Sequence, residues 1–253
     1  MARINNQIAA IKKELVEQTH YLKIWGTFAD LYVARNNLAT ELGIEVKTPS
    51  DNDPIDASMA EYLAGYQAYQ DGDFTGAEDY FSESINLLGW NIIALLNLGN
   101  LYFIQGAHEK AAIIFDQALE HSENGARSEV LTNLGMNAIK RDMIPDAEEF
   151  FRQAIDLDPD NALALNDMGI VKEMEGIGDE AVGYYKQAVQ ADPSDNELWY
   201  NLGTMLGKQG NKEGRLYCFI KAEERGSTEL REMINDLVDQ GIKPVNPFRG
   251  IES

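Results

Sequence analysis

The residues able to do chemistry in this chain are few and scattered. Three histidines, His20, His108 and His121, fall in different predicted elements, with neither a metal-ligand spacing nor a nucleophile–base pairing among them. The single cysteine, Cys218, rules out an intramolecular disulfide and lies in an apolar helical stretch, where a small core residue is expected. Acidic pairs such as Glu148–Glu149 and Glu223–Glu224 are adjacent on helices and read as a solvated face. The run Asp51-Asn52-Asp53 lacks the spaced ligands, central glycine and closing glutamate of a calcium loop. No phosphate-cradling loop is present, because the glycines are used at helix turns and packing positions. The reading is a non-enzymatic chain with no cofactor and no metal site.

Charge narrows the partner class. The 253 residues carry 42 acidic and 21 basic side chains, a net charge of -21. Such a surface repels nucleic-acid phosphates and anionic membranes and favours a basic partner. It also keeps an apolar stack soluble. No run of about 18 apolar residues occurs, so no membrane-spanning helix is expected. The opening residues lack a secretory apolar core; with the lone cysteine, a cytoplasmic location is expected.

The elements that must position any site come from a repeat. A small or apolar residue followed by glycine recurs as Ala64-Gly65, Leu98-Gly99, Leu134-Gly135, Met168-Gly169 and Leu202-Gly203. Three further series keep the same register: Ala77, Ala111, Ala147, Ala181, Arg215; the aromatics Phe81, Phe115, Phe151, Tyr185, Phe219; and the small Ser84, Ala118, Ala154, Ala188, Ala222. Each period predicts two amphipathic helices joined at Gly72, Gly106, Asp142, Gly176 or Gly210, residue types suited to a helix C-terminus and tight turn. Glycine or alanine at Gly65, Gly99, Ala77 and Ala111 lets the two helices approach closely, and the aromatic is expected to fill the space between neighbouring hairpins. Pro145 suits a first helical turn, and Asp158-Pro159 and Asp192-Pro193 end second helices. Two departures carry expectations: Arg215, in a small-residue register, predicts a loosely packed last hairpin, and Glu61, in an apolar register, predicts a first repeat that is distorted or covered. Two extra residues near Gly125-Ala126 are expected in an exit loop.

The ends differ. Residues 1–43 read as a helical segment, with Ile4, Ile8, Ile11, Leu15, Leu22 and Trp25 at a coiled-coil-like period and interruptions at Gln18 and Gly26. It serves either as a cap on the first repeat, filling that end of the groove, or as a dimerising coiled coil. Residues 44–57 read as a linker. Residues 226–241, with Leu230, Met233, Ile234, Leu237 and Val238 on one face, Ser227 as N-cap and Gly241 as stop, read as a capping helix. Residues 242–253 read as an extended tail in which Phe248 is a frayed end or, alternatively, a docking residue.

The stretch from Leu198-Trp199-Tyr200-Asn201-Leu202-Gly203 to Gly210, and that from Ala147 to Pro159 with Phe151 and Ala154, resemble the tetratricopeptide repeat (TPR). The resemblance covers residues 58 to about 225 as five repeats, 58–91, 92–127, 128–161, 162–195 and 196–225. It implies an all-α, right-handed α-solenoid whose first helices line a concave groove. Helical spacing then selects Tyr62, Tyr66, Tyr69, Leu96, Asn100, Phe103, Met136, Ile139, Asn166, Ile170, Tyr200 and Thr204 as groove residues, with Thr132 and Glu173 on the same faces. The implied function is a protein-interaction scaffold binding an apolar or amphipathic peptide. Six acidic and no basic residues in 58–91 point to basic flanks on that peptide. The missing lysines and arginines argue against clamping of acidic tails. The alternatives are a chaperone shielding an apolar client segment and a scaffold self-assembling through residues 1–43.

Overall fold

The repeat registers become helix pairs. The structure, a computed structural model, describes residues 2–17, 33–34 and 53–248, and among these only helices and turns occur. The fold is an all-α helical repeat of the solenoid type. The expectations for residues 18–32 and 35–52, including those for Gln18, His20 and Gly26, lie outside the described residues. 

The chain divides into two compact units, Met1–Asp142 and Met143–Ser253. The first contains α1 (Ala2–Glu17), α2 (Pro54–Gln70), α3 (Phe74–Leu87), α4 (Ile92–Ile104), α5 (His108–Glu120) and α6 (Asn124–Lys140). The second contains α7 (Ile144–Leu157), α8 (Ala162–Met174), α9 (Gly178–Ala191), α10 (Asn196–Lys208), α11 (Lys212–Glu224), a 3-10 turn at Thr228–Leu230 and α12 (Arg231–Asp239). In each unit consecutive helices pack as hairpins: α2 with α3 and α4 with α5 in one, α8 with α9 and α10 with α11 in the other.

Close approach explains the Gly–aromatic spacing. A Cβ placed on Gly65 would lie 2.7 Å from the Phe81 ring, on Gly169 2.7 Å from Tyr185, and on Gly203 2.8 Å from Phe219. Phe81, Phe115, Phe151 and Phe219 are fully buried. The turn between α2 and α3 shows why glycine recurs there. Gly72 has φ 79, its N–H donates to Tyr69 O at 3.1 Å, and the Asp73 N–H donates to Ala68 O at 2.9 Å. This paired closure needs a left-handed residue after the helix. Asp142 adopts φ 59 at the matching place, the one non-glycine residue with positive φ among the described residues.

Several expectations are corrected. The two extra residues do not lengthen a loop: α6 has 17 residues where α4, α8 and α10 have 13, so the insertion adds a turn at its N-terminus. Arg127 lies in α6 and donates to Leu119 O at 3.0 Å. Arg215 does not loosen the last hairpin. Its side chain covers Gly207 and the Phe219 ring, 5.0 Å from the centroid, while Gly203 keeps the same tight approach as in other repeats. The first repeat is covered rather than distorted: α2 runs regularly through Glu61, and α1 buries Ile8 among Ile55, Met59, Leu88 and Ile93. Ser227 makes no capping hydrogen bond, because a 3-10 turn intervenes before α12. Val238 is exposed, on the solvent side of a nine-residue helix that buries Ile234 and Leu237. Phe248 is not frayed; it packs with Ile242 against the core of the second unit.

A polar lock joins α2, α3 and the start of α4. The Ser58 hydroxyl donates to Ser84 O at 2.8 Å, and the Ser84 hydroxyl donates to Ser58 O at 2.7 Å. The Asn91 amide donates to both hydroxyl oxygens, at 2.9 and 3.0 Å. All three residues are fully buried. Each hydroxyl thus donates once and accepts once, which removes the desolvation cost of placing it between close-packed helices.

Candidate functional site

The spacing-selected residues lie along the first helices, some open and some packed on the joint aromatics, as Tyr62 is on Phe81 at 6.0 Å. In the first unit, α2 presents Tyr66 at 42% and Tyr69 at 38% relative exposure. Tyr62 is half-buried beside them, its ring 6.3 Å from Tyr66, and it packs at the edge of the α1 cluster. Burial pushes its phenol up to about 12, with Tyr66 adding to the shift and a hydrogen bond with Asn97 opposing it. Tyr69 turns toward the hairpin end, 5.7 Å from Phe74. On α4, Asn100 is exposed and Phe103 is half-buried, edge-on to His108 at 5.4 Å. On α6, Met136 and Ile139 are half-buried. Thr132 is buried and donates to Ser128 O at 2.9 Å.

Leu96 does not join this surface. It is 4% exposed, because α4 is flanked by α3, α5 and α6, whereas Asn100, four residues on, stays exposed. Ile104, not selected by spacing, is 53% exposed at the end of the same helix.

In the second unit the corresponding face is an amide ladder. The Asn201 amide donates to Asn166 Oδ1 at 2.9 Å, and the Asn166 amide donates to Asp167 Oδ1 at 3.1 Å. Asn166 is therefore sealed, 7% exposed, rather than open. Asp167 is 8% exposed, and burial pushes its carboxyl up to about 6 against the Asn166 hydrogen bond. Ile170 is half-buried. Tyr200 is exposed and stacks on Phe219 at 5.8 Å. The Thr204 hydroxyl oxygen is buried and has no hydrogen-bond partner among the described residues. Glu173 pairs with Lys208 and accepts from the Tyr185 hydroxyl at 3.3 Å. A cavity of about 540 Å³ opens beside Tyr200 and Asn201, walled by Leu230 and Met233.

Sequence reasoning missed Asn97, Asp167 and Asn201 as members of this face. The signal was available: an amide or carboxyl residue stands immediately before the small-Gly register as Asn97, Asn133, Asp167 and Asn201. Elsewhere, Cys218 is fully buried and its thiol is pushed up to about 12 by that burial, so no thiolate forms at neutral pH. Lys172, nearly buried, is held by Glu148 at 2.5 Å and Glu175 at 2.9 Å, which raise its pKa and tie α7 to α8. Among the described residues no three His, Cys, Asp or Glu side chains gather to hold a metal ion.

Serial hairpins with Gly–aromatic joints and first-helix faces carrying aromatic and amide side chains define a helical-repeat interaction module. Tetratricopeptide-repeat signatures match residues 90–160, and again 132–196 and 176–214. The chain is a tetratricopeptide-repeat protein.

Solved structures share the fold. Pseudomonas aeruginosa pilF superposes with a TM-score of 0.63 at 14% identity, covering 74% of this chain and 89% of that one. MamA gives 0.53 at 21% identity, covering 70% and 95%. YrrB, described as a TPR protein with an unusual peptide-binding site, gives 0.50 at 18% identity, covering 81% and 97%. Among curated relatives, the BBSome complex member BBS4 of Bos taurus is 27% identical over 162 residues, 64% of this chain and 31% of that protein. The human protein O-mannosyl-transferase TMTC1 is 30% identical over 110 residues, 43% of this chain and 12% of that protein. The chain thus spans a third or less of the length of these relatives. Tetratricopeptide repeats serve as protein-interaction scaffolds that bind protein or peptide partners and are in general not catalytic. No described helix is long and apolar enough to cross a membrane.

Proposed function

We propose that this chain is an adaptor that grips an apolar or amphipathic peptide segment with basic flanks on the inner faces of its first helices. The observation that carries the reading is the open aromatic row of the first unit. Tyr66 and Tyr69 stand exposed on α2, with Asn100 and Phe103 on α4, in a stretch whose first repeat has acidic residues and no basic ones. Tyrosine offers large contact area at small entropic cost, and an adjacent amide can meet a peptide backbone. The peptide-binding site named for YrrB, a protein of like fold, supports the class of ligand. In the second unit, Tyr200, Thr204 and the cavity beside Asn201 offer a smaller, more polar counterpart.

The packing of α1 bears on self-assembly. Its apolar residues Ile4, Ile8 and Ile11 are engaged with α2 and the start of α4, which favours a cap over a dimer seam for residues 2–17.

A displayed random-peptide library tests the reading. Selected peptides should carry aromatic or aliphatic residues flanked by lysine or arginine. Tyr66→Ala and Phe103→Ala should weaken them at least about tenfold, whereas Ile113→Ala, on α5 and 66% exposed, should not. Peptides that bind both groove variants as well as the parent would reject the assignment.

A further inference from the structure

The last described residues fold back onto the second unit in a defined way. The Val245 N–H donates to Glu213 O at 3.1 Å, a main-chain contact between the tail and the first turn of α11. The Phe248 N–H donates to Asn246 Oδ1 at 2.9 Å, closing an Asx turn around Pro247. That turn aims Phe248 at Trp199, edge to face, with centroids 5.9 Å apart at 76°. The Lys186 ammonium stands 5.9 Å over the Phe248 ring.

The receiving walls are fixed without the tail. Trp199 donates its indole N–H to Pro193 O at 3.0 Å, and the Arg225 guanidinium lies 5.3 Å from its ring. Arg225 is itself anchored, donating to Lys221 O at 2.8 Å. Tyr217 packs on Trp199 at 6.1 Å, and Val189 beneath is 2% exposed. A pre-formed aromatic pocket meets a pre-organised turn, the arrangement in which least ordering entropy opposes binding. The tail does not fill the pocket: about 340 Å³ remains open among Val189, Pro193, Trp199, Tyr217 and Phe248. One aromatic anchor and one main-chain bond hold the segment beside this open space.

We propose that this pocket is a second peptide site, separate from the first-helix faces, and that its ligand is the chain's own Asn246-Pro247-Phe248 turn, bound in cis. The specificity element is the aromatic side chain displayed by the Asx turn; the main-chain bond to Glu213 sets the direction of the segment.

The test uses the full chain, its Phe248→Ala variant and a fluorescein-labelled peptide of residues 242–248. A short tether holds the native tail at an effective concentration on the order of millimolar, so the parent's pocket is mostly occupied. Phe248→Ala should therefore bind the peptide at least about tenfold more tightly than the parent does, by fluorescence anisotropy. The same peptide with its phenylalanine replaced by alanine should not bind. Amide exchange at Val245 should be at least about tenfold faster in Phe248→Ala than in the parent. A Phe248→Ala chain with unchanged circular dichroism that fails to bind the peptide at millimolar concentration would overturn the proposal, as would equal Val245 exchange in the two chains.

Discussion

Between α2 and α3 the small-residue register is filled by serine; between α10 and α11 it is filled by alanine. Both hairpins hold a fully buried phenylalanine, Phe81 or Phe219, against a glycine that admits no Cβ. Around that common joint the chemistry differs. The first hairpin adds the Ser58–Ser84–Asn91 lock and the cover of α1. The last adds the 3-10 turn, α12 and the docked tail, which bury apolar side chains on one core, with the Val245–Glu213 main-chain bond beside them. The aromatic contact sets how closely two helices approach. What seals the end is a separate choice, made with hydrogen bonds where the sealed residues are polar and with apolar surface where they are not.

The sharpest way to break that comparison is to remove the shared element. Phe81→Ala and Phe219→Ala should each cost about 3–5 kcal/mol in urea denaturation followed by circular dichroism. A much smaller loss for Phe81 would mean that α1, not the Gly–aromatic joint, holds the first repeat together. Next in size is exchange of the two small-residue types. Ser84→Ala should cost about 1–2 kcal/mol, because Asn91 and Ser58 O each lose a partner, and Ala222→Ser should also destabilise, by placing a hydroxyl in an apolar joint. If both changes are neutral, the polar lock contributes nothing specific.

A similar magnitude is expected from the buried carboxyl of Asp167. Its folded pKa of about 6 lies above the ordinary carboxylate value, so the folded state binds the proton more tightly than the unfolded state. Stability from this group is greatest below about pH 4 and falls as pH rises toward 6. Asp167→Asn should raise stability at pH 7 by about 1–2 kcal/mol, with the gain disappearing near pH 4 in thermal melts. The smallest expected effect is on the exposed aromatic row. Tyr66→Ala should shift stability by no more than about 0.5 kcal/mol while removing peptide binding, which separates a binding residue from a packing one.

The sequence by itself determined the helix pairing. Four registers in phase required serial hairpins, and the turn residues were legible down to Asp142, whose positive φ stands in the glycine series. These are local facts, governed by backbone conformation and by residues a few positions apart. Tertiary structure decided which spacing-selected side chains stay open. Tyr66 and Asn100 are exposed, whereas Leu96 is enclosed by neighbouring helices and Asn166 is sealed by Asn201, 35 positions away. It also turned the two-residue insertion into an extra helical turn and brought Phe248 onto Trp199. Helical periodicity gives the direction in which a side chain leaves its helix; what it meets there depends on segments distant in the chain, and that is set only when they pack.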